Sequence, residues 1–142
     1  MKVGLFGTVI VNKTLDDVYG WRKDIIPLLE QNNIEYYNPV VINRGTKEIE
    51  IENQQKELCD MEIYVLTVDL MGYYSIAEAV KSSYEHGSPD NTIFCILNKE
   101  YFPYGKLRSL EDVERLLQKR GCYIAKDLND IVNYIIKNKE SE

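Results

Sequence analysis

What this chain has little of narrows it first. Of 142 residues, three are cysteine (Cys59, Cys95, Cys122), one is histidine and four are proline. The thiols are odd in number, no two form a C-x-x-C pair, and His86 lies far from all of them. Neither a disulfide framework nor a metal site is expected, and no cofactor. No apolar run approaches the roughly 18 residues that a membrane span needs, so no membrane partner is expected. Met1-Lys2-Val3-Gly4 leads straight into a strand pattern, which reads as a chain without a signal peptide and places it in the cytoplasm. Positive charge is scarce too: 17 Lys and Arg against 23 Asp and Glu give a net −6. A nucleic-acid polymer needs clustered Lys and Arg for its phosphates and is therefore not expected as a partner. The one basic concentration, Lys106–Arg108 with Arg115, Lys119 and Arg120, is interrupted by Glu111, Asp112 and Glu114 and reads as a solvated helix face. A small anionic ligand stays open.

What is present is ordinary for a globular domain: 44% hydrophobic and 28% charged residues, in a length that buries a core without staples. The pattern alternates. Strands are expected at Val3–Gly7, Ile34–Asn38, Asp60–Thr67, Thr92–Leu97 and Cys122–Ala125. Helices are expected from Thr14-Leu-Asp-Asp17 to about Asn32, with Pro27 as a kink or interruption, then at Ser75–Glu85, Ser109–Arg120 and Leu128–Lys137. Residues 46–59 read as a helix, although the alternation EIEIE also permits a strand. His86 before Gly87 suits a helix C-terminus, where a cation meets the dipole favourably. Near-continuous apolar strands alternating with helices imply a parallel sheet covered on both faces. The expected architecture is an α/β, flavodoxin-like three-layer sandwich with a five-stranded parallel sheet in the order 2-1-3-4-5. Residues 1–137 form one domain and 138–142 a frayed tail.

In that order ligands bind at the carboxyl ends of strands 1 and 3, where the winding reverses. Gly7 and Thr8, with the loop Val9–Lys13, end strand 1. Asp69 follows strand 3, and Glu78 sits on the next helix. Asn38 and Asn98 end strands 2 and 4 and flank the crevice. Tyr73 and Tyr74 offer aromatic faces to a base, whereas Tyr36, Tyr64 and Tyr123 read as core or interface. Arg22, near the strand-1 loop, suits either a phosphate or carboxylate or a surface salt bridge. The segment 99–108 reads as a lid or a subunit contact, with Tyr101, Phe102 and Tyr104 exposed.

Glu78 has two readings. Ser75-Ile-Ala-Glu78 is a capping box, in which each side chain satisfies the other's free amide. Equally, a carboxylate in a first helical turn stays ionised and suits a nucleophile or cation stabiliser. The set GLFGTV, Trp21–Leu29, EYYNPVV, Asp60–Thr67, Gly72–Val80 and IFCIL, in order over about residues 3–98, resembles the nucleoside 2-deoxyribosyltransferase-like family. The resemblance implies a flavodoxin-like fold and cleavage or transfer at the N-glycosidic bond of a nucleoside or nucleotide. It implies Glu78 as the catalytic nucleophile, Asp69 contacting sugar or base, Gly7 allowing close backbone approach, and a homo-oligomer. Two positions depart from it. Gly72 stands where many transferases carry a base-handling aspartate, and Leu5 where relatives have a tyrosine that steadies the nucleophile. Tyr73, Tyr74 or Asn98 are the candidates to substitute. Two alternatives accompany this reading: a protein that binds a nucleotide or nucleotide-derived signal without turnover, and an NAD-cleaving module of the Toll/interleukin-receptor type.

Overall fold

The computed structural model describes residues 1–9, 20–40, 46–70, 73–85 and 87–140. Five strands, β1 (Lys2–Gly7), β2 (Glu35–Tyr37), β3 (Met61–Leu66), β4 (Thr92–Ile96) and β5 (Tyr123–Ala125), form one sheet in the order β2-β1-β3-β4-β5. Every pairing is parallel, with Leu5 beside Ile63 and Ile63 beside Ile93. Between them run α1 (Arg22–Gln31), α2 (Thr46–Leu58), α3 (Tyr74–Glu85), α4 (Tyr104–Arg120) and α5 (Leu128–Glu140). This is the flavodoxin-like α/β architecture. Its cause is visible in the central strands, where all six residues of β3 and all five of β4 are buried. Strands buried on both faces need a layer of helices on each.

The two faces divide by residue parity along β3. Ile63 and Val65, with Val3, Leu5, Ile93 and Cys95, pack against Ile25 and Leu29 of α1 and Ile131 and Ile135 of α5. Tyr64 and Leu66, with Phe6, Phe94 and Ile96, pack against Ala79 of α3 and Leu110 and Leu117 of α4. Leu5, Ile25, Leu29 and Ile63 are wholly buried, each worth about 1.5–3 kcal/mol over an exposed side chain.

Several expectations change. The opening at Thr14–Asp17 lies outside the described residues, as do most of the Val9–Lys13 loop, Gly72, His86 and the last two residues. A single helix to Asn32 is not formed: Gly20 adopts φ +52, outside the helical region, and α1 begins at Arg22. Pro27 is exposed inside α1 and the helix continues through it to Gln31. Residues 46–58 are helical, with Ile49, Ile51 and Leu58 exposed and Glu52 buried. Phe102 is not an exposed interface residue but part of the α3–α4 core, at 8% exposure, and α4 starts at Tyr104, earlier than the polar pattern suggests. The last helix runs to Glu140, past the point where the tail was expected to fray.

Candidate functional site

β1 ends in a tightly knit corner. Gly7 has φ +119, and a Cβ there would lie 2.1 Å from the carbonyl oxygen of Val65, so its bare Cα is used for close contact with β3. The Thr8 amide donates to Val65 O at 2.9 Å, and the Thr8 hydroxyl accepts from the Thr67 amide at 2.9 Å. Arg22 is 1% exposed. Its Nε and Nη2 donate to Leu5 O at 3.1 and 3.0 Å, its Nη1 donates to Thr8 O at 2.8 Å, and the guanidinium lies 4.4 Å from the Trp21 ring. Burial lowers its pKa to about 9, against an opposing pull from Glu52. Arg22 is therefore neither a surface salt bridge nor exposed to an incoming anion. It clamps the carbonyls of Leu5 in β1 and of Thr8 just beyond it, which is how a buried charge is tolerated.

Asp69 is exposed on the turn after β3, accepting from the Thr67 hydroxyl at 3.4 Å. Lys106 of α4 donates to the carbonyls on either side of it, Val68 O at 2.6 Å and Leu70 O at 2.9 Å. Lys106, in the segment expected to be a lid or a subunit contact, thus fastens this turn. Asn38 accepts from the Val40 amide at 3.2 Å in a local turn. Asn98 adopts the left-handed conformation, φ 58, beside a separate depression at the ends of β4 and β5. Tyr73 and Tyr74 are 81% and 72% exposed.

Glu78 borders a groove whose lining, among the described residues, includes Tyr74 but not Asp69, Asn38 or Asn98. The helix starts at Tyr74, so Ser75 is inside its first turn, not at the cap. Glu78 Oε2 accepts from Lys56 Nζ across the gap between α2 and α3. The two helices and β3 border this solvent-open groove of about 590 Å³, running from Tyr74 at the carboxyl edge of the sheet to Glu62 and Glu85 at the amino edge. On its floor the Tyr64 hydroxyl donates to Glu62 Oε1 at 2.8 Å, and burial followed by Glu62 raises the Tyr64 phenol far above its usual range. Lys56 also lies 3.6 Å from Glu52 Oε1 and 4.9 Å from the Phe6 ring. Burial lowers the Lys56 pKa, opposed by Glu52 and Glu62.

Of the sequence candidates, the groove gathers Glu78 and Tyr74. It adds Lys56, Glu62 and Tyr64, which the sequence reading did not single out as site residues. Their only sequence signal is Glu52 four residues before Lys56 in a helical register. Leu5 faces the α1–α5 side of the sheet, opposite Glu78, and the β1 side chain on the Glu78 face is Phe6. Among the described residues no group of three or more His, Cys, Asp and Glu is placed to hold a metal ion, and no helix is long and apolar enough to cross a membrane.

Fold and site together define a flavodoxin-like α/β protein with a charged interhelical groove over its central strand. In comparisons with known proteins the chain matches no family model, no curated protein and no solved structure.

Proposed function

We propose that this protein acts at the N-glycosidic bond of a small nucleoside or nucleotide, as a nucleoside 2-deoxyribosyltransferase or nucleotide N-glycosidase, with Glu78 as its nucleophile. The observation that carries the reading is the Glu78 carboxylate. It is 12% exposed, held through Oε2 by Lys56 in an open groove, and its Oε1 takes no hydrogen bond among the described residues. The sequence resemblance supports the substrate class, and Tyr74 at the rim supports stacking on a base. Oε1 forms a bond to the anomeric carbon as the carbon–nitrogen bond breaks. The electron pair leaves with the base, which takes a proton from water. Water or a nitrogen of a second base then attacks the same carbon and the carboxylate is restored, so two displacements retain configuration. By the resemblance, Asp69, on the exposed turn before α3 and outside the lining of the groove, is assigned to the sugar or base.

The test is incubation with deoxynucleosides, deoxynucleotides and NAD, with and without added free base, read by chromatography beside Glu78→Gln. Base release or exchange that disappears in the variant supports the reading, and nicotinamide release alone replaces it with NAD cleavage. One observation favours the second reading, ligand binding without turnover: an ammonium on the nucleophile lowers its basicity. Retention of a panel compound with no product after prolonged incubation would decide for it. Exposed Tyr101 and Tyr104 suit contact with a second copy, which light scattering reads directly.

A further inference from the structure

We infer that Lys56 is the positioning residue for Glu78, holding its carboxylate ionised and in one orientation from the opposite helix; this rests on the glycosidic reading of the site. Three features of the geometry support it. Lys56 reaches from α2 to Oε2, whereas Oε1 takes no hydrogen bond among the described residues, so one oxygen is anchored and the other is available. Lys56 is itself held, 3.6 Å from Glu52 one turn earlier on its own helix and against the Phe6 ring at 4.9 Å. The ammonium also sits on Oε2, the oxygen that does not attack. A leaving base departs from the far side of the anomeric carbon, so Lys56 does not protonate it and acts only through Glu78. This supplies the positioning contact that a first-strand tyrosine would give, since residue 5 faces the other side of the sheet.

The titratable groups around Glu78, among the described residues, are Glu52, Lys56 and Glu57 from α2, Glu62 and Tyr64 from β3, and Tyr74, Lys81 and Glu85 from its own helix. With four further carboxylates around the groove, a Glu78 without Lys56 binds its proton more readily. The experiment uses the full chain with carbon-13 in its glutamate carboxyls, titrated by NMR. Wild type is compared with Lys56→Met and Lys56→Arg, and Glu78→Gln assigns the signal. In Lys56→Met the Glu78 titration moves to higher pH, and in Lys56→Arg it returns toward wild type. The acid limb of base release moves with it, and kcat falls more than KM rises. A Glu78 titration unchanged in folded Lys56→Met overturns the inference. If Lys56→Met does not fold, Lys56→Gln, one atom shorter but polar and uncharged, gives the same comparison. Displacement of the titration with no base release in wild type leaves the positioning contact standing and removes the glycosidic reading instead.

Discussion

Replacing Thr8 by valine distinguishes a hydroxyl that holds the fold from one that holds a ligand. The sequence places Thr8 among the ligand-binding candidates, yet its side chain is 3% exposed and its Oγ1 accepts from the Thr67 amide at 2.9 Å. That bond ties the end of β1 to the end of β3, next to the amide of Thr8 on Val65 O. Valine matches threonine in shape and lacks the acceptor, so the Thr67 amide loses its partner while no cavity opens. A donor left unmade in such a place costs about 1–3 kcal/mol. For a chain of this size that lowers Tm by about 3–10 °C. Serine retains the acceptor and removes one methyl, a loss of about 1 kcal/mol. The assay is urea unfolding of wild type, Thr8→Val and Thr8→Ser, followed by circular dichroism. The midpoint should fall in the valine variant by more than in the serine one, with unchanged m. A valine variant as stable as wild type that nonetheless loses a bound nucleoside would refute the reasoning and return the hydroxyl to the ligand.

Lys106→Met removes both donors from the Val68 and Leu70 carbonyls. Stability drops by about 1–3 kcal/mol, and limited proteolysis cuts the 67–70 turn faster than in wild type; equal cutting rates contradict the fastening role. Tyr123 is raised to about 12, first by its hydrogen bond to Asp130 and then by burial, and Tyr64 and Tyr134 move the same way. Below about pH 10 folded and unfolded chains both keep these protons. Between there and pH 12 the unfolded chain alone releases that of Tyr123, so stability falls as pH rises through this window. The urea midpoint should drop across it, less so in Tyr123→Phe, and a level midpoint would sink the assignment. Burial raises the thiols of Cys59 and Cys95 to about 11 and about 12, and that of Cys122 as well. All three are buried and free. An aromatic disulfide reagent at neutral pH should therefore register them only after denaturant is added, and fast labelling of the native chain would show that one is accessible.

Local pattern was sufficient for the architecture. Apolar runs such as MEIYVL and TIFCI cannot be covered on one face only, and helices between them leave parallel pairing as the one arrangement with short, right-handed crossovers. The order β2-β1-β3-β4-β5 and the position of Glu78 on the helix after β3 were readable from that alone. The ambiguous EIEIE run resolved as helix once Glu52 and Lys56, four residues apart, met on one face beneath α3. Tertiary structure decided which polar side chains turn inward and whom they meet. Arg22 reaches Leu5 O across 17 residues, Lys56 reaches Glu78 across 22, and Lys106 reaches Val68 O across 38. Periodicity reports the side of an element on which a residue stands and carries no record of what another element brings to that side. A charge on a helix face costs the same in sequence whether it ends in water or against a backbone carbonyl. Only the packed sheet, by removing water from the ends of β1 and β3 and from the floor between α2 and α3, gave those charges their partners.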